Sequence, residues 1–244
     1  MKADLSPAAS AVRSAAVLST ISAYNLASKP RAIRNQQDVP CCVSCALAGA
    51  MEVVHPEWPR LAPLFHYYVT RYDNGRADST GSVTLADAIV TLTNQGVCRH
   101  DLHPLPYTLN AAERKPSESA YGDVLDRRIL RRGYFFLYRQ FTGTSRAAWI
   151  REQLRQNCPV VVGLRRPEGY PDKFLDRKFE WQDPENPAPQ QGGHCVLILG
   201  YDDTRTALRI QDSQGAARFD GGRWWMGYRV ADSIVVEEAY SLIP

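Results

Sequence analysis

The chain has 244 residues, 44% of them hydrophobic, and a formal net charge of +3, enough apolar material for the core of one large or two small domains. No long basic stripe accompanies the charge, so nucleic acid is not an expected partner, and Asp126-Arg127-Arg128-Ile129-Leu130-Arg131-Arg132 reads as a solvated face. No apolar run approaches the ~20 residues of a membrane span, and no membrane partner is expected.

The cysteines are at 41, 42, 45, 98, 158 and 195. Three crowd into one turn, and a bridge between neighbours 41 and 42 is strained, so free thiols and a reducing compartment are expected. The stretch Ala15 to Ile21 lacks the apolar middle and cleavage site of a signal peptide. Localisation is therefore expected to be cytoplasmic, or export by a route without a classical signal.

In chain order, residues 1–33 read as a small, polar N-terminal arm with room for one short helix between Pro7 and Asn25. Residues 40–54 predict a helix opened by Pro40 and carried by Ala46-Leu47-Ala48, with Gly49 as its one weak position. Leu61 to Tyr72, with Pro63 in its first turn, predicts a second helix, and Leu85 to Asn94 a third that stops at Gln95-Gly96. After about residue 133 the pattern changes. Tyr134 to Tyr138 is strand-like and Ser145 to Gln156 is an amphipathic helix. Strands follow at 160–164, 195–199, 207–211 and 224–226. Residues 165–193 are polar and proline-rich, long for a loop in a compact domain. A helical half over 34–132 and a mostly β half over 133–244 make the chain α+β.

Three groups carry chemistry. Cys42 opens a predicted helix, where unpaired N–H groups and the helix dipole favour a thiolate. His194 opens one predicted strand and Asp212 closes the next, with a turn signal at Asp202-Asp203-Thr204. A hairpin symmetric about Asp203 puts His194 directly across from Asp212, with Cβ atoms roughly 4.5–5.5 Å apart. A thiol, an imidazole and a carboxylate then suggest nucleophilic acyl chemistry. The alternatives are a surface His–Asp pair, a buried structural cysteine, redox chemistry at Cys42-Val43-Ser44-Cys45, and zinc. Zinc is disfavoured because adjacent residues 41 and 42 chelate poorly. No metal or cofactor is expected.

With these residues in view, the chain resembles the papain-like cysteine peptidases, in particular bacterial members without disulfides. Five residues separate Gln36 from Cys42, as they separate the family's glutamine from its nucleophile, and Gly49-Ala50-Met51-Glu52 matches the sequence that follows it. That register selects Cys42 over Cys45. His194-Cys195-Val196-Leu197-Ile198-Leu199-Gly200-Tyr201 is similar to the family's histidine motif. Asp212-Ser213-Gln214-Gly215 matches its Asn-Ser-Trp-Gly in part.

The resemblance implies a two-domain papain-like fold, a helical domain and an antiparallel β-barrel-like domain with the cleft between them. It implies a cysteine peptidase acting on peptide or protein through a thioester. Cys42 would be the nucleophile, His194 the base and then acid, Asp212 the orienting group, and Gln36 with the Cys42 N–H the oxyanion hole. Ser82 and Val83 would offer backbone bonds to substrate, and Gly193 would line the cleft. The alternatives are another thiol-dependent acyl transfer, transamidation or deamidation, and a non-enzymatic peptide-binding module. Three departures stand out. Asp replaces Asn at 212, which should raise the pKa of His194, and restoring Asn should preserve much activity. Val43 and Gln214 stand where the family has tryptophans, so a more exposed triad is expected.

Overall fold

The computed structural model describes residues 21–26, 33–76, 79–125, 127–128, 134–137, 145–166, 180–181, 193–233 and 236–244. Helices come first: α1 (Cys42–Val54), α2 (Pro63–Asp73), α3 (Leu85–Asn94), and the short α4 (Leu109–Ala112) and α5 (Glu118–Gly122). Pro63 begins α2, where its missing N–H costs nothing. The Thr84 hydroxyl caps α3 by accepting from the Asp87 N–H. The expected proline-rich loop at 165–193 and the Pro7-to-Asn25 helix fall largely outside the described residues, as does the 132/133 boundary between the two expected halves. Where the N-terminal segment is described, it is a strand, β1 (Ala23–Asn25), rather than the end of a helix.

The later chain builds β2 (Tyr134–Leu137), α6 (Arg146–Arg155), β3 (Val160–Arg165), β4 (Glu180–Trp181), β5 (Gly193–Asp202), β6 (Ala207–Gln211), β7 (Arg223–Gly227), α7 (Tyr228–Asp232) and β8 (Val236–Leu242). The sheet runs β2-β8-β3-β5-β6-β7-β4, antiparallel except for the β4–β7 pair. Among the described residues no ladder joins β2 to β4, so these ladders do not close the sheet into a barrel. β1 pairs with β5 at Gly200–Asp202, continuing the side of β5 that β3 leaves at Ile198. The backbones come so close there that a Cβ on Gly200 would lie 2.5 Å from the Tyr24 carbonyl oxygen.

Strand β5 sits at the centre because both of its faces are apolar. Cys195, Leu197 and Leu199 pack with the apolar residues of α1. Val196 and Ile198 pack with Ile150 and Leu154 of α6 and with Trp224. Gly49 lets α1 approach, since a Cβ there would meet Leu197 Cδ2 at 3.1 Å. The helix stability lost to a mid-helix glycine, about 1 kcal/mol, is offset by this contact. Helix α1 is thereby held against the strand that begins with Gly193 and His194.

α1 is also pinned by polar contacts that the apolar pattern does not show. Glu52 and Arg34 form a buried ion pair, and the same carboxylate oxygen accepts the Leu61 N–H at 2.8 Å. Ser44 bonds His66 Nδ1 at 2.9 Å, and His66 Nε2 donates to the Ala88 carbonyl at 3.0 Å, tying α1, α2 and α3 together. Burial lowers the pKa of His66 to about 4, so the ring is neutral at pH 7.

Candidate active site

Cys42 is the first residue of α1, after Cys41, whose side chain makes no capping bond. The first N–H groups of the helix therefore lack intrahelical partners and face the thiol end of the site. All six cysteines are free, but Cys42 alone of them is partly exposed and the others are buried. Cys41 and Cys45 turn toward each other with sulfurs 3.8 Å apart. Burial and Cys45 push the Cys41 thiol far up. Burial raises the Cys45 pKa too, but Cys41, Arg34 and Tyr107 outweigh it and the net direction is down. Cys45 nevertheless faces a crevice of about 10 Å³, room for no more than one water.

A cleft of about 510 Å³ is lined by Gln36, Cys42, Ser82, Gly193 and His194 among others. These are five of the seven residues singled out in the sequence. Asp212 lies beneath the cleft, its side chain fully buried. Val83 is not in the lining. It turns its side chain into the core beside Leu85 and Ala88, which leaves only its backbone for a substrate.

His194 Nε2 lies 3.1 Å from Asp212 Oδ1. The contact arises from a register other than the expected one. β5 and β6 pair Asp202 with Ala207 and Leu197 with Gln211, with a bulge between Ile198 and Gly200, and the turn is Asp203 to Thr206. Continuing that ladder places Val196, not His194, across from Asp212. His194 is the diagonal neighbour two residues along on the same face, still within reach of a long side chain. The ring's remaining nitrogen is left for Cys42, which also hydrogen-bonds His194. Burial alone would lower the His194 pKa. The charge and hydrogen bond of Asp212, with the Cys42 contact, reverse this and raise it to about 10.

Asp212 is held from three sides. Its Oδ1 also accepts the Ser213 N–H at 2.7 Å, and its Oδ2 accepts the indole N–H of Trp224 at 2.9 Å. Trp224 is 1% exposed, and His194 and Asp212 are 6% and 3% exposed. The expectation of a more exposed triad, drawn from Val43 and Gln214, is corrected for His194 and Asp212: a tryptophan ten residues after Gln214 covers the carboxylate. Its signal lay in the β6–β7 pairing, where Trp224 faces Ile210, two residues from Asp212.

Gln36 reaches the site from the other wall. Its backbone N–H donates to the Ser213 carbonyl at 2.8 Å, and Gly215 N–H donates to Arg34 O at 3.0 Å. Asn35 and Gln214 form an antiparallel bridge between these two bonds. The Gln36 side chain accepts from the Ser213 hydroxyl and gives one Nε2 hydrogen to Val39 O at 3.0 Å. The second Nε2 hydrogen is not used by that bond. Gln37 follows with φ 50°, its N–H bonded to Asn35 Oδ1 at 3.1 Å. That turn swings the chain back toward Pro40 and the start of α1.

Among the described residues, no three His, Cys, Asp or Glu side chains are grouped to hold a metal ion, and no helix is long and apolar enough to cross a membrane.

The model of the Peptidase_C39-like family matches residues 35–229. Among solved structures, xylellain, a cysteine protease from Xylella fastidiosa, superposes with a TM-score of 0.80 at 21% identity, covering 94% of this chain and 89% of that one. A cysteine protease of Carica candamarcensis gives 0.66 at 14% identity, over 91% and 98%. The bromelain protease of Ananas comosus gives 0.67 at 13% identity, over 91% and 99%. A sequence comparison with curated proteins gives no match. The fold is therefore that of the papain-like cysteine proteases.

Proposed function

Since the chain belongs to the Peptidase_C39-like family, a family of papain-like cysteine peptidases, we propose that it cleaves peptide bonds with Cys42, His194, Asp212 and Gln36. The observation that carries the reading is His194, hydrogen-bonded to Asp212 on one side and to Cys42 on the other, at the edge of a cleft. The helical half over 34–132 supplies Cys42 and Gln36. The β-rich half over 133–244 supplies His194 and Asp212.

In this reading the Cys42 thiolate attacks the scissile carbonyl carbon while His194 holds the proton as imidazolium. Charge that develops on the carbonyl oxygen meets the Cys42 N–H and the remaining Gln36 Nε2 hydrogen. His194 then gives its proton to the leaving amine, which departs and leaves a thioester on Cys42. Water, deprotonated by His194, releases the acid and regenerates the thiol. Asp212 keeps the imidazole ring oriented and stabilises its positive charge. Ser82, the Val83 backbone and Gly193 would hold an extended peptide or protein substrate.

An epoxide probe followed by peptide mapping tests the assignment together with cleavage of a casein-type protein. The expected result is one adduct on Cys42, cleavage by wild type and none by Cys42→Ala. An adduct on Cys45 with Cys42 unmodified would overturn the choice of nucleophile. An adduct on Cys42 with mass changes in the substrate but no cleavage would favour transamidation or deamidation.

A further inference from the structure

Between Asp212 and Trp224 the chain turns through four residues of positive φ: Gly215, Phe219, Gly221 and Gly222. For the glycines this is free. For Phe219, at φ 53°, it is costly, about 1–2 kcal/mol for a residue with a Cβ. Phe219 is the one aromatic residue among the described residues with positive φ; the other non-glycine cases are Gln37, Asn157 and Thr206. Bonds on both sides hold its backbone there. Gly222 N–H donates to Arg218 O at 2.8 Å, and Asp220 and Arg223 exchange both backbone bonds at 3.0 and 3.2 Å. Arg209 also pairs with the Asp220 carboxylate.

A fourth glycine would suit this backbone without strain. The chain instead places a phenyl ring here, 1% exposed. Burying that ring is worth about 1.5–3 kcal/mol, enough to offset the backbone cost, so burial alone accounts for an apolar side chain. The ring's neighbour adds a second role. Its centroid lies 6.2 Å from that of Trp224, with the planes tilted by 42°, and the Trp181 ring lies 6.4 Å from the same indole at 38°. The Trp224 indole N–H reaches Asp212 Oδ2 at 2.9 Å, while Oδ1 takes His194 Nε2 and the Ser213 N–H. The last torsion of an aspartate is soft. The indole bond on Oδ2 opposes rotation about it and so keeps Oδ1 aimed at the imidazole.

We propose that Phe219 is a positioning residue: its ring seats the Trp224 indole, and the indole fixes the plane of the Asp212 carboxylate that His194 faces. The inference rests on the peptidase reading only for its effect on rate. Because the backbone at 219 is bonded on both sides, the ring is presented from a fixed point. A smaller side chain there leaves space beside the indole, and the indole turns into it.

The test reads the His194–Asp212 hydrogen bond in the resting protein through its downfield imidazole N–H proton resonance, with kcat and KM in parallel. Phe219→Leu keeps the backbone demand and removes the ring. Phe219→Gly removes both, and its relaxed backbone favours folding. In each the resonance should move upfield and exchange faster with water, and kcat should fall roughly tenfold with KM within about twofold. Trp224→Phe should shift the resonance in the same direction, and adding Phe219→Leu to it should change nothing more. Val69→Ala, a truncation in a separate cluster on α2, reads the effect of general destabilisation and should leave the resonance in place. A wild-type resonance in Phe219→Leu and Phe219→Gly would overturn the inference. So would an undiminished effect of Phe219→Leu in the Trp224→Phe background, or a shift in Val69→Ala as large as that in Phe219→Leu. A shifted resonance in the variants of a chain that cleaves no peptide would leave the inference standing and overturn the peptidase reading.

Discussion

Replacing Asp212 by Asn is the informative perturbation of the site. Three described donors reach the carboxylate: His194 Nε2 and Ser213 N–H on Oδ1, and Trp224 Nε1 on Oδ2. An amide has one oxygen and one NH2 group. With its oxygen at the Oδ1 position it serves His194 and Ser213 but sets its NH2 against the indole N–H. With the amide flipped, it sets NH2 against two donors instead of one. Asp212 and Trp224 are 3% and 1% exposed, so solvent does not relieve the conflict. Each buried donor left without an acceptor costs about 1–3 kcal/mol. Two such donors make the cost of Asp212→Asn to stability about 2–6 kcal/mol, beside the expectation from the family resemblance that Asn would preserve much activity. Trp224→Phe alone removes one hydrogen bond to a charged acceptor, about 1.5–3 kcal/mol. In the double variant the indole donor is gone and only the amide NH2 is unmet, so the two losses should be less than additive by about 2 kcal/mol or more. Urea unfolding of the four proteins at pH 7 measures this, with kcat/KM in parallel. The basic limb of the pH–rate profile should also move down from near pH 10 in Asp212→Asn, because a neutral partner no longer supports the imidazolium. Losses additive within about 0.5 kcal/mol would refute the reasoning and remove Trp224 as the partner of Asp212.

Glu52→Gln should destabilise the chain by about 3–5 kcal/mol, since it strands the buried Arg34 guanidinium, while replacing both partners by Met should cost less in the same urea titration. His66, with its pKa at about 4, adds stability that is complete above pH 6.5 and fades as pH falls through 4. His66→Gln should flatten the acid side of a stability–pH curve by up to about 3 kcal/mol. His194 has the opposite sign: its contribution is complete below pH 6.5 and is lost as pH rises through about 10. Mild peroxide should convert Cys42 to a sulfenic acid that a thiol reductant reverses, because Cys41 is engaged with Cys45. Reversal should persist in Cys41→Ser and Cys45→Ser, and its loss in either, measured by activity after reductant, would point to a disulfide instead.

The elements readable from the sequence are those that local chemistry decides. Leu85–Asn94 and Ala207–Gln211 have the expected bounds, the first set by the Thr84 cap and helical spacing, the second by alternation between turn signals. The cysteine's place at a helix start follows from Pro40 and the alanine-rich run after it. What the sequence hid was non-local. β1 has three residues and exists because β5 offers an open edge past Val160. The β5–β6 turn runs from Asp203 to Thr206 and is not centred on Asp203, which displaces the pairing from the symmetric hairpin drawn from turn signals, and the bulge near Leu199 recovers only part of that displacement. The His194–Asp212 contact was therefore anticipated with an incorrect pairing. Trp224 was legible as a strand residue, but its indole bond to Asp212 depends on β7 lying beside β6.

The paired backbone of residues 34–36 and 213–215 joins the segment that brings Gln36 to the segment that follows Asp212. It acts as a clasp at one end of the cleft. Spreading the walls at that end requires breaking peptide-to-peptide bonds, so the spacing between the Gln36 amide and the Asp212–His194 pair is set by main-chain geometry and not by side-chain packing. The amides of Gln36 and Gly215 are natural reporters of that spacing. If they exchange with solvent as slowly as the central amides of β5, the clasp opens only when the fold does.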